Sequence, residues 1–483
     1  MLEHVRSGAP MLFHSLDYIL FLALVVLGYW LLHRLNLLRL AFVFLASCLF
    51  YMAWHPLYIG LILFSTALDY VAGWRIHRGR SRGVRRAWLL ASLVGNLGLL
   101  GVFKYFNFFS QAVADGLGLA GLQIQAPYLD VLLPVGISFY TFQTLSYTID
   151  IYRGRLEPRR SFLKFAFFVT FFPQLVAGPI VRASELLPQL DRRPRLAPDR
   201  VSRGLFLLVT GLVKKIAIAD YLSVNLVDRV FDNPQLYTAP EVVIGLYAFT
   251  MQIYCDFSGY TDVARGSAML MGLELPENFD RPYQATNPGA FWRRWHMTLS
   301  SWLRDYLYFP LGGSKVSPAR AYWNLWLTMF LIGIWHGAAW TFVLYGILQA
   351  TAMVIHRFFY RMRGRTRDMV DPWPMRAFKI FCNLQFVVFS RILFRATGLD
   401  NAWDVTTRLF SGTTSVAQVS SGVWLVLIAT FVAHYLPKRW FEGLGTTFVR
   451  LPAPVQGAAL VGVGAALSMV ATSQVVPYIY FQF

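Results

Sequence analysis

Acidic side chains are scarce in this chain: 25 Asp and Glu stand against 44 Lys and Arg in 483 residues. Charge of both signs makes up 14% of the sequence, well under the roughly 25% of a soluble globular protein. That shortage excludes the charged surface of an ordinary soluble domain. Cysteine is also rare. Cys48, Cys255 and Cys382 all fall in apolar stretches, and their spacing forms neither a disulfide framework nor a zinc motif. No other spacing of ligand-type side chains points to a metal. Missing too are the short alternating segments of a membrane β-barrel, any internal repeat, and any loop long enough to fold alone. The chain reads as a single membrane domain over residues 1–483.

Hydrophobic residues make up 56% of the sequence. Apolar segments recur at roughly 17–33, 37–54, 56–74, 87–106, 131–152, 162–179, 204–222, 242–264, 321–337, 339–359, 375–396, 421–437 and 457–473. Re-entrant or broken segments reduce these to an expected ten to twelve or so crossings. The expectation is therefore an all-α polytopic membrane protein.

The net charge of +19 is distributed as a membrane protein distributes it. Basic residues cluster between apolar segments, in "RIHRGRSRGVRR" (75–86), "YRGRLEPRR" (152–160), "DRRPRLAPDRVSR" (191–203) and "RFFYRMRGRTR" (357–367). Juxtamembrane Lys and Arg mark cytoplasmic loops, and no base-reading motif interleaves them, so nucleic acid is not an expected partner. The first apolar segment lacks a basic leader and a cleavage site, so it reads as retained. The basic link "RLNLLR" after it places the N-terminus outside. Counting onward puts 75–86 and 153–160 inside, and 107–130 and the comparatively acidic 223–241 outside.

Three stretches bear polar chemistry. In "NPGAFWRRWHMTLSSWLRDYLYFPLGG" (287–313), a helical projection places Trp292, Trp295, Leu299, Trp302, Tyr306 and Phe309 on one arc. Arg293, Arg294, Arg304 and Asp305 lie opposite, with His296 at the boundary. One amphipathic helix at the membrane–water interface is expected. It is either a headgroup anchor or the wall of a cytoplasmic entrance whose arginines meet an anionic donor. In "QIYCDFSGYTDVARG" (252–266), Asp256, Ser258, Tyr260, Thr261 and Asp262 interrupt an apolar helix. Carboxylates there are costly unless paired or hydrated, which fits a packing network or a direct part in substrate binding. Gly259 suits a bend or a close helix approach.

The third stretch is "IGIWHGAAW" (332–340). A helix starting near Tyr322 and rising about 1.5 Å per residue carries His336 roughly 20 Å inward. An imidazole at that depth must face protein or a water-filled cavity. Near neutral pH it can accept a proton and return it. Gly337, Ala338 and Ala339 leave room beside it for a substrate or a neighbouring helix. The plain alternative is a core histidine satisfied by a neighbour.

"FWRRWHMTLSSWLRDYLYFPLGG" followed by "IGIWHG" resembles the membrane-bound O-acyltransferase (MBOAT) family. The bacterial branch of alginate O-acetylation membrane subunits and teichoic acid D-alanyl transfer proteins is the nearer likeness. "LLPVGISFYTFQTLSYTIDIYRG" (132–154), "FFPQLVAGPIVR" (171–182), "YCDFSGYTDVARG" (254–266) and "PENFDRPY" (276–283) fit the same branch in order. The core motifs occupy about 131–350, with peripheral helices at 12–106 and 375–473. The resemblance implies an MBOAT fold of tilted helices around a central tunnel, with re-entrant or interfacial helices. It implies that His336 is catalytic, with His296, also a catalytic candidate, toward the cytoplasmic side of the tunnel. The implied donor is an acyl thioester, acetyl-CoA or an acyl carrier protein, with no permanently bound cofactor. The implied setting is the bacterial inner membrane. One departure stands out: "YGILQA" places Tyr345 and Gln349 where alginate-type members carry a tryptophan and a second histidine. Gln349 can hydrogen-bond but cannot shuttle a proton.

Arg293, Arg294, Arg304 and Lys315 would hold the donor's phosphates or an acidic carrier. His336 would take the acceptor hydroxyl's proton as it attacks the thioester. Trp335 N–H, Asn324 or a backbone N–H would meet the oxyanion, a choice the sequence leaves open. The acceptor side calls for a periplasmic acyltransferase partner, because the chain has no domain to hold a polysaccharide. D-alanyl-type transfer is the alternative within the family. A transporter or channel with an intramembrane histidine is the alternative outside it.

Overall fold

A computed structural model describes residues 11–364, 371–471 and 476–479. The N-terminus, placed outside by the charge pattern, and positions 365–367 of the last basic run lie outside the described residues. Every regular element among the described residues is helical. In the first half of the chain the longer helices include α1 (Leu16–Leu31), α2 (Asn36–Met52), α3 (Ile59–Arg78), α4 (Arg82–Leu100), α5 (Ile137–Tyr152) and α6 (Pro198–Leu212). The 32-residue α7 (Ala239–Leu270) follows, then the short α8 (Pro288–Trp292) and α9 (Met297–Leu303). The chain continues through α10 (Pro318–His336), α11 (Trp340–Met362), α12 (Trp373–Arg395), α13 (Ser421–Tyr435), α14 (Lys438–Arg450) and α15 (Ala453–Val470).

Helix starts follow local chemistry. The Ser15, Ser81 and Ser420 hydroxyls accept the Tyr18, Val84 and Val423 N–H groups and so cap α1, α4 and α13. Asn287 caps α8 ahead of Pro288, whose missing N–H costs nothing at a first turn.

Five helical stretches among the described residues are long and apolar enough to cross a membrane: Pro56–Arg78, Arg82–Leu119, Trp340–Met362, Trp373–Arg395 and Ala453–Val470. The pair α13 and α14, bent by 95°, makes a sixth if it counts as one span, and α1 and α2 are shorter apolar helices. That is fewer than the ten to twelve crossings expected: 242–264 and 321–337 lie in the unbroken helices α7 and α10, which are not among the five, and two other segments are interrupted. The 204–222 segment turns π-helical over Val213–Asp220. The 162–179 segment divides into Phe162–Thr170 and Phe172–Leu175.

Contacts group the chain into two units. The first holds the described residues up to Gly204 together with Ala264–Pro276. The second holds Leu205–Val263 and the described residues from Glu277 onward. In the first, α3, α4 and α5 pack around the buried Asp69. Its carboxyl accepts from the Ser92 hydroxyl, from Asn96 Nδ2 at 2.8 Å and from Thr148 Oγ1 at 2.8 Å. In a loop of this unit, burial pushes the Asp191 carboxyl up, but Lys164 and Arg159 outweigh it and hold the group below its ordinary value. In the second unit, α6 and α7 touch backbone to backbone at Gly211 and Gly259. A Cβ at either glycine would come within 2.8 Å of the other's carbonyl oxygen. Of the two roles open to Gly259, the close approach is the one realised.

Candidate active site

His336 closes α10, eighteen residues beyond its first residue, Pro318. The helix starts earlier than Tyr322, so His336 stands about 27 Å along it. Four residues later, at Trp340, the chain begins α11 and packs back on α10. Two glycines make that return possible. A Cβ on Gly333 would sit 2.2 Å from the Gly346 Cα, and one on Gly337 would sit 2.2 Å from a ring carbon of Phe342. The glycine after His336 therefore admits the Phe342 ring. Of the two occupants that the small residues allow, a neighbouring helix is the one that takes the place at Gly337.

The segment around His296 also departs from expectation. The single helix over 291–309 is broken. The α8 helix stops at Trp292, His296 takes a left-handed conformation (φ 45°, ψ 55°), α9 begins at Met297, and a π-helical turn covers Arg304–Tyr308. Such a backbone is costly for a bulky residue, on the order of 1–3 kcal/mol, and persists only where its surroundings enforce it. Here Asn278 does so. Its carbonyl accepts Met297 N–H at 3.0 Å. Its Oδ1 accepts Thr298 N at 3.1 Å and Thr298 Oγ1 at 2.9 Å, and meets His296 Nδ1 at 3.2 Å. The break turns His296 fully inward, to 0% exposure, so it is not the boundary residue of the projection. Trp292, Trp295, Leu299, Trp302 and Tyr306 stay buried, while Phe309 is exposed.

Both histidines meet one indole. Trp335 lies 5.1 Å from the His336 ring and 5.7 Å from the His296 ring, centre to centre. Phe394 packs against His336 at 5.0 Å, with Tyr345 at 6.3 Å. On the other side, Phe257 of α7 lies 4.8 Å from His296. The circuit closes through Arg391, whose guanidinium lies 4.8 Å from Trp295 and 5.3 Å from Phe394. Two histidines 40 positions apart in the sequence thus share one buried, aromatic-walled site with a buried cation.

The remaining candidates divide. Gln349 is buried and acts as a bridge, accepting Trp292 Nε1 at 3.3 Å and donating to Ser390 Oγ at 3.2 Å. Asn324 is not at the site. It precedes His336 by twelve residues, about 18 Å along the same helix, and its amide donates to the carbonyls of Leu311 and Gly313. It is thereby removed from the possible oxyanion donors. Arg294 is drawn to Asp280, and Arg304 pairs with its neighbour Asp305 at 2.8 Å. Arg293, Arg304 and Lys315 are exposed, unlike the buried histidine pair.

Asp256 and Asp262 are held by two lysines that sequence reasoning passed over. Lys215 bridges Asp256 at 2.8 Å and Asp220 at 2.7 Å, and Lys214 holds Asp262 at 2.6 Å. The second Asp256 oxygen accepts Ile479 N–H at 2.9 Å. Tyr260 packs on Tyr478 at 5.2 Å, and Ser258 is buried beside them in the sequence. The other omission is Arg391. A signal was present for both: a cation inside an apolar run is costly enough to need a reason.

A helical, multi-pass membrane chain that buries two histidines against one indole is equipped to move a proton away from bulk water, as an acyl-transfer enzyme must. Residues 154–396 match the model of the membrane-bound O-acyltransferase (MBOAT) family, and the chain belongs to that family. It is 37% identical over 405 residues to the "probable alginate O-acetylase AlgI" of Pseudomonas aeruginosa, covering 82% of this chain and 75% of that one. It is 35% identical over 419 residues to a peptidoglycan O-acetyltransferase of Helicobacter pylori, covering 80% and 77%. A teichoic acid D-alanyltransferase of Bacillus subtilis is 28% identical over 273 residues, covering 54% and 68%. The family and these relatives identify a membrane O-acetyltransferase. The transporter or channel alternative falls with that assignment.

Proposed function

We propose that this enzyme moves an acetyl group from a cytoplasmic thioester, acetyl-CoA or an acyl carrier protein, across the membrane. The destination is a hydroxyl of an extracytoplasmic polysaccharide or peptidoglycan, reached through a periplasmic acyltransferase partner. The carrying observation is the shared burial of His336 and His296 against Trp335. His336 is the general base. It removes the acceptor's proton as the oxygen attacks the thioester carbonyl, then returns that proton to the leaving thiolate. His296 lines the donor path. The acetylating relatives cover more of this chain at higher identity than the D-alanyl one does, which favours acetyl over D-alanyl.

The donor meets the exposed Arg293, Arg304 and Lys315. The Arg304–Asp305 pair does not preclude this, because an exposed pair is worth about 0–1 kcal/mol. The deciding experiment supplies purified protein with acetyl-labelled coenzyme A and, separately, with acetylated carrier protein, and follows loss of the thioester. Consumption of neither donor sinks the reading. In the same assay, Arg293→Glu with Arg304→Glu is expected to raise the donor KM several-fold, more at low salt than at high. Lower turnover at unchanged KM would reject docking there.

We further propose that the chain sits in a bacterial inner membrane with its N-terminus outside. The support is the alternation of basic and acidic loops. Cysteines introduced at positions 80 and 115 are expected to label only from the cytoplasmic and external sides respectively. Labelling of both from one side would overturn this orientation and the donor side with it.

A further inference from the structure

We propose that Arg391 is the oxyanion-binding group of the transfer step: its guanidinium receives the acyl carbonyl oxygen as negative charge develops on it. This rests on the reading of His336 as the base and adds the group that acts opposite it.

Arg391 lies on α12 and is 1% exposed. Its Nε, Nη1 and Nη2 have no hydrogen-bond acceptor among the described residues. The contacts it makes are with π faces, Trp295 at 4.8 Å and Phe394 at 5.3 Å. Aromatic faces stabilise a cation without taking up its N–H groups. The Tyr283 phenol interacts with the guanidinium as a neutral neighbour, while its own hydroxyl donates to the Thr250 carbonyl at 2.6 Å. Arginine cannot shed its charge as a lysine can, and a buried cation without an acceptor is costly unless function requires it. Its natural complement is an oxygen bearing negative charge.

Position selects which oxygen. Phe394 packs on both His336 and Arg391, so base and cation are separated by one side chain. Fixed cations and dipoles are most effective where charge appears only in the transition state, in a site closed to water. The acceptor O–H gives its proton to His336, and its oxygen forms a bond to the acyl carbon. The carbonyl π pair moves to the carbonyl oxygen, facing Arg391. That pair then returns, the C–S bond breaks, and the thiolate takes the proton from His336. Thioester and alcohol become ester and thiol, with no further reactant.

The test compares Arg391→Met and Arg391→Lys in the full-length protein, measuring Tm, kcat and KM with acetyl and fluoroacetyl thioesters. For Arg391→Met we expect kcat to fall by about 10²–10³-fold, KM near the parent's, and an equal or higher Tm because the unpaired buried cation is gone. Arg391→Lys is expected to fall between. The deficit is expected to shrink with the fluoroacetyl donor, because fluorine itself stabilises the oxyanion. Turnover within about threefold of the parent would overturn the proposal. So would a defect confined to KM, which would place a permanent substrate anion at Arg391. Should the Met variant fail to fold, the Lys variant decides: a deficit equal for both donors overturns the proposal, and one relieved by fluorine upholds it. The His336→Gln protein separates the two readings. If it is active, the base assignment fails. If it is inactive beside a parent-like Arg391→Met protein, only the present inference fails.

Discussion

A His336→Gln protein is expected to fold like the parent and to lose acyl transfer by about 10²-fold or more, the scale of general-base catalysis. Glutamine approximates the volume of the ring and keeps hydrogen-bonding capacity, but it cannot accept the acceptor's proton. His336 packs against rings from Trp335, Phe394 and Tyr345, which accept a neutral side chain of similar volume. The measurement is transfer at saturating donor, after equal Tm has been confirmed. Near-normal transfer by the folded variant would reduce His336 to a packing residue. His296→Gln is expected to be milder in turnover if His296 only lines the donor path. It is also expected to lower Tm, because His296 holds a left-handed backbone fastened by Asn278.

The helical class and the importance of both histidines are legible in the sequence, since apolar length and out-of-place polar residues are local signals. What local signals miss is where the chain breaks. A projection of 291–309 assumes an unbroken helix, and nothing within that segment announces the reversal at His296. Its cause is Asn278, supplied by a separate stretch of chain. Gly337 illustrates the same limit. The sequence shows a small residue but not that Phe342 fills the space. Gln349 resists reading for a related reason. Its bridge from Trp292 to Ser390 joins side chains from three helices, and only the fold brings them together. The paired carboxylates at 256 and 262 were visible, whereas their lysines needed the α6–α7 approach at Gly211 and Gly259 to be recognised as partners.

That approach supports the second large effect. Lys215 is wholly buried between Asp220 and Asp256, whose side chains are 7% and 2% exposed. Removing one member of a buried ion pair costs about 3–5 kcal/mol, because the partner charge is stranded. Lys215→Met strands two carboxylates in one pocket, where each also repels the other. We therefore expect a large loss of Tm in detergent, or failure to accumulate folded protein. Lys214→Met is expected to cost less, because the Lys214 and Asp262 side chains are 24% and 13% exposed and water can share the charge. Neutralising the whole cluster reverses the argument. Lys215→Met with Asp220→Asn and Asp256→Asn leaves no buried charge, and such replacements are often neutral for stability. The triple variant should regain most of the lost Tm. A single variant as stable as the parent, or a triple variant no better than the single, would show that the cluster does not hold the fold. The refolded triple variant then decides what Asp256 is for. If its charge serves only to join the Val213–Asp220 stretch to α7, acyl transfer returns with stability. If Asp256 takes part in substrate binding, the protein folds and transfer stays lost. The ion pair at 2.8 Å and the Ile479 N–H at 2.9 Å occupy both Asp256 oxygens, so recovery of transfer is the expected result.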